Sequence, residues 1–113
     1  MWKSLLKAGN CYKSAFTWLI EQDMEFSRKG IRMDIPHKLV HADVIGTGGD
    51  VKGKKYGHAF VLLDNGWVLD TETGTPMPKD EYYKLGNVSN AKEYTFEEAG
   101  RLAYESGHYG PWD

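Results

Sequence analysis

The chain holds a single cysteine, Cys11, among its 113 residues. That excludes an intramolecular disulfide, a CxxC redox pair and a multi-cysteine zinc site, and the lone thiol suits a reducing compartment. Charge of one sign is lacking too. The 14 Lys and Arg against 16 Asp and Glu leave a formal charge of -2, so no basic field draws the chain to nucleic acid or anionic lipid. The longest apolar run, Ala59-Phe60-Val61-Leu62-Leu63, stops at Asp64, well short of the roughly 18 apolar residues of a membrane span. Lysines at positions 3 and 7 interrupt the N-terminal segment where a signal peptide needs an unbroken apolar stretch. The expectation is a soluble, cytoplasmic chain with neither nucleic acid nor membrane as partner. Its length and its 41% hydrophobic content fit one globular domain, 1-113, with a modest core.

Against these absences stands clear periodicity. Ala15, Phe16, Leu19 and Ile20 repeat at helical spacing, and Asn10 offers an N-cap side chain, which predicts a helix from Cys11 to about Gln22. The charged stretch from Asp23 to Pro36 reads as an added helical turn and an excursion. Lys38 to Gly46, Tyr56 to Leu63 and Trp67 to Thr71 read as strands, the last two forming a hairpin across Asp64-Asn65-Gly66. A helical turn at Asp80 to Tyr83 and a strand around Val88 to Tyr94 follow. Thr95-Phe96-Glu97-Glu98 is a capping-box pattern that opens a final helix ending near Gly107. The predicted class is α+β. Leu19, Phe60, Leu62 and Val68 are expected near the contact between the first helix and the sheet.

Two motifs promise less than they show. Gly48 to Lys55 reads G-x-x-x-x-G-K-K, but Lys55 stands where a phosphate loop needs a hydroxyl, and the segment leads into a strand in place of a helix N-terminus. His37 and His41, four apart on an extended chain, lie about 13 Å from each other, too far to share one ion. Neither a metal nor a cofactor is expected.

Cys11, His58 and Asp70 form the stronger constellation. The partial positive charge of a helix N-terminus favours a thiolate. A nearby imidazole can take the thiol proton, and a carboxylate can orient that imidazole. Whether His58 and Asp70 meet depends on the hairpin register. A two-residue Asn65-Gly66 turn pairs Asp64 with Trp67 and puts His58 and Asp70 on opposite faces. A three-residue Asp64-Asn65-Gly66 loop, with Gly66 left-handed, pairs Leu63 with Trp67 and Phe60 with Asp70, making His58 and Asp70 diagonal neighbours. Separately, each residue also has a plainer reading: Cys11 as a small buried hydrophobe, His58 as a capped surface histidine, Asp70 as the start of a turn.

Gly57-His58-Ala59-Phe60-Val61, followed by Gly66-Trp67-Val68-Leu69-Asp70, resembles the histidine and aspartate strands of the papain-like cysteine enzymes, particularly their transglutaminase-like branch. Asn10-Cys11-Tyr12 is similar to the opening of that branch's nucleophile helix. The resemblance implies an N-terminal nucleophile helix packed on a small antiparallel sheet, with Cys11, His58 and Asp70 as a triad. It implies a cysteine peptidase, amidase or transglutaminase-like acyltransferase that works through a thioester on an amide or acyl group of a peptide or protein. The chain departs from the papain pattern where Lys3 to Lys7 replaces the glutamine before the nucleophile. Backbone N–H groups at the helix start can supply part of an oxyanion hole. His41, on the preceding strand, would supplement them if it shares a face with His58. A second function class stays open: an inactive protein-binding module on the same scaffold, using aromatics among Tyr82, Tyr83, Tyr94, Tyr104, Tyr109 and Trp112. Core packing and tail docking are the readings favoured for Tyr104 and Trp112.

Overall fold

Two neighbouring apolar strands without strict alternation require cover on both faces, and Leu39-Val40 and Ala59-Phe60-Val61 are such runs. The structure, a computed structural model, describes residues 10-30 and 36-112. It has three α-helices, α1 (Asn10–Arg28), α2 (Lys79–Leu85) and α3 (Phe96–Ser106). Its strands are β1 (Lys38–Ile45), β2 (Lys55–Leu62), β3 (Trp67–Leu69), β4 (Pro76–Pro78) and β5 (Ser89–Tyr94). They form one antiparallel sheet in the order β4-β3-β2-β1-β5. The fold is α+β.

The β1–β2 register sorts the core into two layers. Leu39 opposes Val61 and His41 opposes Ala59, so these side chains share one face; Val40 with Phe60 and Ala42 with His58 occupy the other. On the first face, Leu39, Ala59 and Val61 pack against Ala15, Phe16 and Leu19 of α1. Val40, Ala42, Phe60 and Val68 form the second layer, under Tyr82 and Tyr83 of α2. Leu19 therefore lies where the sequence suggests, but Phe60, Leu62 and Val68 belong to the α2 layer. Periodicity shows that a residue is buried without showing which of two covering helices buries it.

Several boundaries differ from the sequence reading for identifiable reasons. Asn10 is itself helical, and whatever caps α1 lies outside the described residues. The helix runs on to Arg28 because Phe26 extends the apolar stripe, while Glu25 pairs with Arg28 at 2.8 Å and faces Lys29 at 3.9 Å. The third strand stops at Leu69, where Asp70 starts a turn. β4 is absent from the sequence reading, since prolines at both its ends hide it. Such a strand is tolerated at a sheet edge, where missing N–H donors cost nothing. At α3, Glu98 N donates to Thr95 Oγ1 (3.1 Å) and Thr95 N to Glu98 Oε1 (2.9 Å), completing the predicted capping box, and left-handed Gly107 closes the helix. Trp112 docks on His41 and Tyr94, whereas Tyr104 falls off the α3 stripe and is 89% exposed. No helix among the described residues is long and apolar enough to cross a membrane.

Turn chemistry selects between the two hairpin registers. Val61 opposes Leu69 and Leu62 opposes Val68, while Leu63 N donates to Trp67 O at 2.8 Å. The loop is thus Asp64-Asn65-Gly66. Gly66 takes φ 87°, a conformation that favours glycine, and Asn65 Oδ1 accepts from Trp67 N at 3.0 Å.

Phe60 has no exposed surface and meets the rings of Tyr82 at 4.9 Å and Tyr83 at 5.8 Å. Phe60→Ala is expected to lower unfolding stability by about 3–5 kcal/mol, measured by urea titration. A loss under about 1 kcal/mol would mean that the ring is not a core residue.

Candidate active site

Asp70 is positioned by its own turn. Its backbone oxygen accepts from Thr73 N at 3.1 Å and Gly74 N at 2.8 Å, and its Oδ1 accepts from Glu72 N at 3.0 Å. This is the side-chain-to-backbone bonding that an Asp at the head of a turn supplies. Its Oδ2 accepts from Tyr82 Oη at 2.6 Å and lies 2.9 Å from His58 Nε2. Asp70 therefore both opens a turn and holds an imidazole.

His58 is reached from two sides. Carrying the three-residue register one step past Leu69 places Asp70 opposite Phe60, diagonal to His58, the arrangement that the second hairpin reading requires. Beyond this point the β2–β3 ladder has ended, leaving β1 as the sheet neighbour of β2 at His58. Cys11, the second residue of α1, lies beside the imidazole and favours its charged form. Gly57 admits the start of the helix, since a Cβ there would stand 2.6 Å from Tyr12 Oη. Cys11, His58 and Asp70 are all buried, at 2%, 3% and 7% exposure.

His41 does not share a face with His58. The two lie on adjacent strands, but His41 opposes Ala59 while Ala42 opposes His58, so their side chains leave the sheet in opposite directions. His41 instead packs edge-on to Tyr12 at 4.6 Å and against Trp112 at 4.8 Å. It touches the residue after Cys11 rather than the imidazole, and it helps line a groove of about 500 Å³ bordered by Tyr12, Asp43, Gly57 and Lys92. His37 is elsewhere, accepting from Asp64 N at 3.1 Å. The glycine-rich segment forms a short 3-10 turn over Gly49–Val51 before β2.

Two members of the cluster are missing from the sequence reading. Tyr82 is there only as a possible contact aromatic, and its bond to Asp70 depends on α2 folding across the sheet. Glu72 Oε1 faces His58 Nδ1 at 3.8 Å. The spacing Asp70-x-Glu72 is the one linear hint, because an Asp at the head of a turn bonds the N–H two residues on and so holds that residue beside it. Single ligand atoms of His58, Asp70 and Glu72 lie within 4.8 Å of one another, which is metal-ligand spacing where none is expected from the sequence.

Burial and pairing compete across the cluster. Burial works against charge on His58, but bonding to Asp70 and Cys11 and their negative charge prevail, raising the imidazole from 6.5 to about 10. Burial pushes the Asp70 carboxyl up, yet His58, Tyr82 and the Glu72 N–H hold it below its ordinary value. Burial and the Asp70 charge drive the Tyr82 hydroxyl far above its ordinary range, so it remains a donor. Burial also raises Glu72, with Asp70 adding to the rise and His58 opposing it. Compared with known families, curated proteins and solved structures, the chain matches none.

The two shifts set opposite limits on stability. The raised His58 contributes stability fully present below pH 6.5 and lost as pH climbs through about 10. The lowered Asp70 contributes stability present above its ordinary 3.8 and lost as pH falls through its folded value. The urea midpoint should therefore be highest between those ordinary values and decline on both sides. His58→Ala should flatten the alkaline limb, and Tyr82→Phe should shift the acid limb to higher pH. An alkaline limb unchanged in His58→Ala would show that the imidazole is not held as a cation.

Proposed function

We propose that the chain is a cysteine-dependent acyl-transfer enzyme of papain-like, transglutaminase-like kind, with Cys11 as nucleophile, His58 as acid and base, and Asp70 as the orienting carboxylate. One observation carries this reading: a buried imidazole bonded to Asp70 through Nε2, with a thiol from the first turn of a helix beside it that favours its charged form. With Nε2 occupied, Nδ1 is the ring nitrogen left to exchange a proton with sulfur.

The Cys11 thiolate adds to the carbonyl carbon of an amide, and first-turn N–H groups of α1 would receive the developing oxyanion. The C–N bond breaks as His58 Nδ1 gives its proton to the leaving amine, and a thioester remains on Cys11. Water, or an amine in the acyltransferase case, then loses a proton to His58 and attacks the thioester. The C–S bond breaks and the thiolate–imidazolium pair returns. Asp70 stabilises the imidazolium throughout without taking its proton.

The sulfur is nearly enclosed, so the test uses a small reagent. Iodoacetamide at neutral pH should alkylate Cys11 faster than it does a small free thiol. His58→Ala should remove that excess rate. Asp70→Asn should leave the thiol alkylatable while cutting turnover of an activated acyl ester by a factor of up to about 10⁴. An alkylation rate no greater than a free thiol's in all three proteins would reject the enzyme and favour the inactive binding module.

A further inference from the structure

Gly57 sits inside β2, where a glycine weakens the strand and often marks a close approach by another group. Its backbone conformation does not call for glycine, since its φ is not positive. Space does. A Cβ at position 57 would stand 2.6 Å from Tyr12 Oη, nearer than two such atoms can approach, and 3.8 Å from Tyr12 Cζ, an ordinary contact. The buried phenol of α1 therefore reaches the bare backbone of β2 with its tip. Its ring packs edge-on against His41 at 4.6 Å, and Gly110 lies along its flank, where a Cβ would stand 3.3 Å from Tyr12 Cδ1 and 2.5 Å from His41 Cε1. Tip and flank are both held.

Each end of this contact is one peptide bond from the proposed chemistry, because Tyr12 follows Cys11 and Gly57 precedes His58. We infer that Tyr12 is a positioning residue: its ring is the spacer that fixes how far the Cys11 backbone on α1 stands from the His58 backbone on β2. The inference rests on the enzyme reading for its consequence in catalysis, while the spacing itself does not. A close-packed interior transmits strain instead of absorbing it, so a push at the hydroxyl moves the first turn of α1. Proton exchange between sulfur and imidazole tolerates little change in their separation, and a misplacement of about 1 Å can cost about a hundredfold in rate. Positions 12 and 57 are thus matched, the length of one side chain against the absence of the other. Asp70 orients the imidazole, and Tyr12 sets the thiol-bearing helix against it.

A compensating pair of substitutions tests the spacer. In the full chain, Gly57→Ala should remove the excess alkylation rate of Cys11 and lower kcat for a small activated acyl ester by up to about a hundredfold, with KM little changed. Adding Tyr12→Phe takes away the one atom that the new methyl group strikes, leaving Cζ at 3.8 Å, so the double variant should regain most of both. If Gly57→Ala does not fold by urea titration, Tyr12→Leu carries the test, since it withdraws the ring from an unaltered strand and should lower kcat likewise. A double variant no better than Gly57→Ala, or wild-type kcat in Gly57→Ala or Tyr12→Leu, would overturn the spacer and leave a reactive wild-type thiol, and the enzyme, standing. If the wild type shows no turnover, the enzyme reading fails instead, and the spacer is read from the NMR signals of the His58 ring. These should move in Gly57→Ala and return in the double variant, and signals that do not return would overturn it.

Discussion

Everything in the cluster depends on a carboxylate that has no freedom left. Asp70 receives an imidazole, a phenol and a backbone N–H on its side chain and closes a turn with its carbonyl. Each donor comes from a different stretch of chain: His58 from β2, Tyr82 from α2, and the amide of Glu72 from the turn after β3. A buried anion of this kind is costly unless fully paired, and here each pairing fixes another element. The carboxylate thus joins three parts of the fold at one point. It also sets the character of the imidazole, which stays a cation although burial opposes charge.

The core and the cluster use the sheet differently. In its middle, β1 and β2 are covered on both faces, by α1 on one and α2 on the other. At the His58 end of β2 the ladder to β3 has finished, and α1 supplies Cys11 at that margin. Close packing makes the middle rigid. The margin inherits the rigidity, since His58 is two residues from Phe60 and Cys11 is one turn from Ala15. Cys11 and His58 are thereby both held on secondary structure, the arrangement that keeps side-chain geometry narrow without a large domain.

Local signals made part of this visible in the sequence. The capping box at Thr95, the helical stripe of Ala15, Phe16 and Leu19, and the strand positions of His58 and Cys11's helix all depend on neighbours within a few residues. The hairpin register was legible only as two alternatives. Alternation normally chooses a register, but Ala59-Phe60-Val61 is buried on both faces and offers no alternation to use. Gly66 and the Asn65 side chain decide it through the turn itself. Tyr82, Glu72 and the orientation of His41 depend on contacts between distant segments, and β4 is disguised by its prolines. The same-face expectation for His41 fails because adjacent strands place neighbours by register parity, which the sequence between Gly46 and Lys55 does not reveal.

The three-residue hairpin loop also bears on how such a chain can drift through evolution. Exchanging Asp64 for another polar residue leaves the strands in step. Deleting one residue from the loop does not, because pairing moves by a single position and every side chain of β3 changes sides. Val68 would leave the layer under α2, and Asp70 would be carried away from His58 with it. Lineages descending from this chain should therefore vary the composition of that loop while conserving its length, so that gaps in an alignment fall elsewhere.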